Sequence, residues 1–244
     1  MLHLEKERVS KVRYLIKYTK EGELKFLAHL DLMRSMQKVI RRADLPAAYS
    51  QGFNPHMILS IAQPLSVGMA SEGDYMDVVF TEKLDEKELV KTLNQNSTIN
   101  IRFLDAAFVD ETEKKAPQSM ALIDAAKYTM KLKALDAEKA LNEIEELLKE
   151  KSWVITKKNK KGQLKEQEIR NLIYDIKYWV KDEEVVINVL VACGSKENLS
   201  ANVLAEYIKD KCIAVNKEAF TQIKREEMYA YKGKKLVPLC EYFR

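Results

Sequence analysis

The 244-residue chain is 46% apolar and 32% charged, with a formal net charge of +4. That is the composition of a globular protein, and the length suits one large domain or two of about 110 residues each. It excludes a membrane span, which needs roughly 18–20 consecutive apolar residues, and a secretory leader, since the first residues alternate charge without an apolar stretch. Cys193, Cys212 and Cys240 stand far apart with no Cys-x-x-Cys pair. This excludes a disulfide framework, an iron–sulfur cluster and a structural zinc site, and it points to reduced thiols and a cytoplasmic protein.

The β-branched and aromatic run at 12–18 predicts a strand that ends at a turn on Gly22. Residues 30–43 carry Leu32, Met33, Met36, Val39, Ile40 and Ala43 on one face, which is helical spacing. Pro46 ends that helix, because the residue before a proline avoids helical geometry. A turn-rich stretch at 49–57 leads to a short strand at 58–62 and a small-residue loop at 66–73. Strands are predicted at 75–80 and 99–109. Between them lies a helix at 85–93, with Asp85 as its cap and Glu88 at capping-box spacing. The order is β-α-β-β-α-β, the ferredoxin-like pattern.

Residues 113–124 change character, with charge first and then Ala116-Pro117-Gln118-Ser119, and predict a linker. The same order then returns. A strand at 127–132 precedes a helix at 137–151 with Ala140, Leu141, Ile144, Leu147 and Leu148 inward. A strand at 153–157, one long bent strand at 168–180 and a strand at 184–192 come next, followed by a helix at 202–209 and a last strand at 219–229. The expected architecture is α+β, with two tandem ferredoxin-like domains at 1–112 and 125–231. Each has an antiparallel sheet with helices on one face. The apolar residues Leu236, Val237, Leu239, Tyr242 and Phe243 predict that a tail at 232–244 packs on the body.

Chemistry concentrates in 22–75, which holds two of the three histidines and four of the seven glycines. On the predicted helix, Arg34, Lys38, Arg41 and Arg42 share the face opposite Met36 and Ile40. Guanidinium groups suit phosphate or carboxylate; the plain alternative is a solvated helix face favoured by the dipole near its end. Asp31 is placed to favour or cap the first turn. His29 suits a general base or a phosphate contact, and His56 lies in a loop expected to be exposed. His29, Asp31 and His56 are the candidate catalytic residues, and their spacing matches no recognised metal-ligand pattern. Ser50, Gln51, Asn54 and His56 form a polar loop around Gly52, with Phe53 read as a core residue; an exposed Phe53 would instead suit stacking on a base. A lysine-rich turn carries Lys158, Lys160 and Lys161 as a secondary basic patch, suited to blunting a sheet edge or to contacting phosphates. No Walker loop, Rossmann glycine set, His-Glu-x-x-His or Gly-x-Ser-x-Gly is present, so no cofactor or metal is expected.

The runs Phe26-Leu27-Ala28-His29-Leu30-Asp31, Arg41-Arg42-Ala43-Asp44-Leu45-Pro46, Gln51-Gly52-Phe53-Asn54-Pro55-His56 and Pro64-Leu65-Ser66-Val67-Gly68 resemble the radical-SAM-linked protein family of unknown function, in its standalone form. Members occur alone or fused behind a cobalamin-binding radical SAM enzyme. The standalone genes tend to sit near a radical SAM gene, a ribonuclease of the E/G type and ribosomal protein genes. Ala28 stands where family members often carry Ser. The resemblance implies a radical SAM enzyme as partner and RNA- or ribosome-linked chemistry; the radical SAM cluster motif itself is absent. Three readings result. The favoured one is a non-catalytic RNA-binding or substrate-presenting subunit, with Arg34, Lys38, Arg41, Arg42, Ser50, Gln51, Asn54 and His56 contacting tRNA or rRNA on one continuous surface. The second is an RNA-processing enzyme using His29 with Arg34 or Arg42. The third is a pure protein-interaction module presenting Leu65, Val67, Met69 and the tail.

Overall fold

The structure is a computed structural model that describes residues 11–111, 116–158 and 162–244. Strand β1 (Val12–Lys20) is buried along most of its length and leads through a 3-10 turn (Gly22–Phe26) into helix α1 (His29–Arg42). Strands β2 (Leu59–Ile61) and β3 (Ala70–Phe80) follow, then α2 (Glu86–Gln95) and β4 (Phe103–Val109). The Asp85 carboxylate caps α2 by accepting from the backbone N–H groups of Lys87 and Glu88, which satisfies donors that the helix cannot pair itself.

The expected linker contains a short helix, α3 (Ser119–Leu122), whose Ser119 is fully buried. Strand β5 (Ala125–Lys133) and helix α4 (Ala137–Lys149) open the second half. A separate hairpin follows, β6 (Val154–Lys158) with β7 (Leu164–Glu168). The single bent strand expected at 168–180 is instead β7, a 3-10 turn (Arg170–Leu172) and strand β8 (Ile173–Lys181). The break has a physical cause: the Glu168 carboxylate accepts from the N–H groups of Trp153 and Arg170, which folds the chain at that point. Strand β9 (Glu184–Ala192), helix α5 (Ala201–Lys211), strands β10 (Gln222–Lys232) and β11 (Lys235–Pro238), and a short α6 (Leu239–Tyr242) complete the chain.

Among the described residues one nine-stranded, mostly antiparallel sheet carries both halves, in the order β4-β1-β3-β10-β5-β9-β8, with β2 on β3 and β11 on β10. The halves meet where β3 and β10 pair in parallel, Lys224 with Ala70 and Arg225 with Ser71. Strand β3 begins at Ala70, inside the stretch expected to be a loop. Gly73 explains the close approach, since a Cβ there would lie 2.2 Å from the Glu226 carbonyl oxygen, inside any tolerable contact. A side chain at this position would push the strands apart.

Helices α1 and α2 cover the face of β1 and β3 that presents Tyr14, Ile16, Tyr18, Met76 and Val78. Helices α4 and α5 cover Tyr128, Met130, Leu132, Ile187 and Val189 of β5 and β9. The core of the second half reaches across the seam to Leu15, Tyr75, Ala107 and Val109. Strand alternation places these on the opposite face of the first-half sheet, where Leu239 and Cys240 of α6 are buried. No helix among the described residues is long and apolar enough to cross a membrane.

Candidate nucleic-acid interface

Helix α1 begins at His29, with Ala28 as an N-cap that offers no side-chain bond. Asp31 sits in the first turn, as expected, but does not cap the helix. Its carboxylate instead accepts from Arg34 Nη1 at 3.0 Å on the solvent face, where the two side chains are 53% and 70% exposed. The Arg42 Nη2 donates to the Asn96 carbonyl at 2.6 Å. Asn96 is the C-cap of α2, so a guanidinium sits at the negative end of that helix. Lys38 and Arg41 are exposed, and no ion pair or side-chain hydrogen bond occupies either of them among the described residues. The stripe is therefore real but divided: Arg34 and Arg42 are engaged, while Lys38 and Arg41 are available.

The turn at 50–56 is closed by Ser50 N–H donating to the His56 carbonyl at 2.8 Å and His56 N–H donating to Ser50 Oγ at 3.1 Å. His56 Nδ1 lies 3.2 Å from the Asn54 carbonyl oxygen. Gly52 has φ of 121°, a conformation that favours glycine. Gln51, Asn54 and His56 are exposed and Ser50 is half-buried. Phe53 corrects the core reading: its ring is fully exposed at the loop tip. Tyr49, at the base, is also exposed.

Hydrogen bonds fix where these parts lie. The Thr81 N–H donates to the Pro46 carbonyl and Ala47 bridges Phe80, so the C-terminal end of α1 and the loop sit at the end of β3. The Gly68 N–H donates to the Lys25 carbonyl, which holds the turn before His29 near the start of β3. An 11-residue strand is about 36 Å long. His29 and the 50–56 loop therefore lie at opposite ends of α1. The continuous surface expected along the whole helix shrinks to its C-terminal end with the loop, and His29, Asp31 and His56 do not form a common site. No cluster of three or more His, Cys, Asp or Glu suited to a metal occurs among the described residues. Lys160 and Lys161 lie outside the described residues, as does the side chain of Lys158 at the end of β6.

The docking surface expected from Leu65, Met69 and the tail is largely internal. Met69, Leu239 and Cys240 are buried, Leu65 packs on the core, and only Val67 among the named loop residues is well exposed. Burial pushes all three thiols up, Cys212 to about 11, so they are held as thiols at neutral pH.

Two features are not legible in the sequence. The first is a polar cluster at the seam. Arg225 donates to the Asp74 carboxylate from Nε at 2.9 Å and Nη2 at 2.7 Å, with both side chains 1% exposed. Beside them Lys20 is buried and donates to the Leu27 carbonyl. Burial lowers its pKa, with Asp74 opposing and Arg225 adding to the fall. The second is a cleft on the other side of the same seam, lined by Lys25, Lys131, Lys224, Thr129, Gly68 and Phe220. The alternation Lys127, Thr129, Lys131 shows that one face of β5 is polar. It does not reveal that Lys25 and Lys224 join that face from distant segments.

The molecule is thus an α+β protein on one large sheet, with a partly free basic helix end and an exposed aromatic loop at its rim. It belongs to the family described as "Uncharacterized protein conserved in bacteria (DUF2344)", whose model matches residues 13–201. Among solved structures, one described as "Crystal Structure of a Cbf5-Nop10-Gar1 Complex" is similar at 10% identity and a TM-score of 0.46, covering 88% of this chain and 48% of that one. The chain thus spans about half the length of that relative. An unknown protein from Galdieria sulphuraria matches at 9% identity and a TM-score of 0.25, over 89% of this chain and 98% of that one. No curated protein matches the chain.

Proposed function

We propose that the protein is a non-catalytic RNA-binding or substrate-presenting subunit that works with a radical SAM enzyme. The observation that carries the RNA part is Phe53, a fully exposed ring on a polar loop, at the helix end that bears the unengaged Arg41. An exposed aromatic with nearby cations is the pairing that holds single-stranded nucleic acid, the ring stacking on a base and the cations contacting phosphates. The radical SAM partner rests on the motif resemblance of residues 26–68. The ferredoxin-like reading of each half, at 1–112 and 125–231, is supported by strand order: β4-β1-β3-β2 in the first and β10-β5-β9-β8 in the second, each with helices on one face.

The test is binding of the purified protein to tRNA and rRNA fragments across a salt series. Phe53→Ala should weaken binding by about 1–3 kcal/mol, the strength of one base–aromatic stack. Replacing Arg34, Arg41 and Arg42 together with Ala should flatten the salt dependence, by about 0.7–0.9 in log–log slope for each phosphate no longer neutralised. The protein should still fold, with a loss of at most about 1–2 kcal/mol from the exposed Arg34–Asp31 pair and the Arg42 contact with the end of α2. Absence of salt-sensitive RNA binding in the parent protein removes this reading. Phe53 also favours a second one, an anchor in a protein partner. Co-purification with the radical SAM enzyme that disappears on Phe53→Ala, without any RNA signal, selects it.

A further inference from the structure

The cleft at the seam has a volume of about 260 Å³ and draws its lining from four separate segments: Lys25 from the 3-10 turn, Gly68 and Ala70 at the start of β3, Lys131 from β5, and Phe220, Gln222 and Lys224 from β10 and the residues before it. Like charges brought together in this way repel unless something neutralises them. Lys224 is neutralised by Glu72 at 2.7 Å. The nearby Glu226 is engaged by Thr129, Asn188 and Lys127. Lys131 has no ion pair or side-chain hydrogen bond among the described residues. Among the described residues the Lys25 ammonium meets the Phe26 ring, at 5.1 Å from its centre, and no anion. Two cations are thus left without an anion at one small opening.

The apolar side of the opening is equally specific. Gly68, at φ of 90°, lines the cleft together with Phe220; a Cβ at this position would come 3.7 Å from the Phe220 ring, and Phe220 is 62% exposed. Much of the aromatic is therefore open to a planar group, and the absence of a side chain at Gly68 leaves the space beside it free. The volume falls just below the usual range for ligand pockets, about 300–1,000 Å³, so the cleft takes one compact unit rather than a long chain. On the sheet, Lys131 and Lys224 belong to the face opposite Arg225, and so to the face opposite α1.

We propose that this cleft binds a single nucleotide unit, its phosphate between Lys25 and Lys131 and its base on the open side of Phe220. The unit is either a free nucleotide or the phosphorylated end of an RNA. The assignment does not depend on Phe53, which lies on the rim at the end of α1.

The experiment is isothermal titration calorimetry on the full chain, with AMP, ATP, inorganic phosphate, and a short RNA oligonucleotide with and without a 5′-phosphate. Lys131→Ala and Phe220→Ala should each weaken nucleotide binding by about tenfold or more, the scale of removing one charged hydrogen bond or one stack. Lys131→Arg and Phe220→Tyr should restore most of it. Phe53→Ala should leave it unchanged, which separates this site from the RNA-binding surface. AMP or ATP binding with this pattern identifies a free nucleotide; binding of the 5′-phosphorylated oligonucleotide alone identifies an RNA end. No binding of any probe, or binding that is indifferent to both alanine variants, overturns the proposal. Phosphate binding as tightly as AMP with Phe220→Ala silent also overturns it, since the base would then contribute nothing.

Discussion

Asp77 is 4% exposed on β3 and holds the start of α3 in place. Its Oδ2 accepts from the Ser119 N–H at 3.0 Å and from the Ser119 hydroxyl at 2.5 Å, while Arg13 Nη1 lies 3.7 Å from Oδ1. Burial raises the carboxyl pKa above its ordinary 3.8; the Ser119 bonds and Arg13 restrain the rise without cancelling it. The folded protein therefore keeps this proton to a higher pH than the unfolded chain does. The corresponding stability is fully present below the ordinary carboxyl value and is lost as pH rises through the folded one. Ser119→Ala removes a bond that favours the carboxylate. The variant should lose about 1.5–3 kcal/mol at neutral pH, the usual strength of a hydrogen bond to a charged group. The deficit should shrink as the pH falls and the carboxyl takes up its proton. Urea unfolding of both proteins at several pH values measures this, and a pH-independent difference would show that Asp77 is not the group being stabilised.

At the scale of elements, the decisive contact is the β3–β10 pairing. It has few ladder positions, so its side chains matter. The buried Arg225–Asp74 pair spans 151 residues of sequence across it. Removing one partner strands the other charge, which costs about 3–5 kcal/mol. Asp74→Ala should therefore lower the melting temperature sharply, whereas Lys224→Ala, which breaks the exposed pair with Glu72 across the same seam, should cost at most about 1 kcal/mol. Equal losses in thermal melts would show that the buried pair does not hold the seam. Strand β3 also explains what sequence can and cannot reveal. The spacing of Leu32, Met36, Val39 and Ile40 makes α1 legible, and the alternation of Lys127, Tyr128, Thr129, Met130, Lys131 and Leu132 does the same for β5. Ala70, Ser71 and Gly73 look like a loop because their smallness serves a partner strand far along the chain. Local pattern carries no information about such a partner. Phe53 reads as a core residue although it points outward, because an isolated aromatic in a turn has no periodicity to orient it. The cleft is invisible in the sequence because its lysines are dispersed singly across three segments.

At the scale of the whole molecule, the two halves share a sheet and a core, and the last residues of the chain fasten one to the other. Strand β11 pairs with β10 of the second half. Helix α6 then crosses to the first, where Leu239 and Cys240 are buried and Cys240 Sγ comes within 3.9 Å of the Leu15 carbonyl oxygen. The Arg244 guanidinium grips the Asp105 carboxylate of β4 with two prongs, at 3.0 and 2.6 Å, and donates to the Ala106 carbonyl. Deleting residues 236–244 removes the cover from Leu15 and Ala107 on that face. Truncating one buried leucine typically costs about 2–5 kcal/mol, so the shortened protein should lose at least about 3 kcal/mol in urea unfolding and become less soluble. Arg244→Ala alone should cost far less, at most about 1 kcal/mol, because its side chain is 46% exposed. The contrast separates apolar cover from the terminal ion pair: if the point variant matches the truncation, the ion pair fastens the halves, and if neither melts earlier than the parent, the tail does not hold them together.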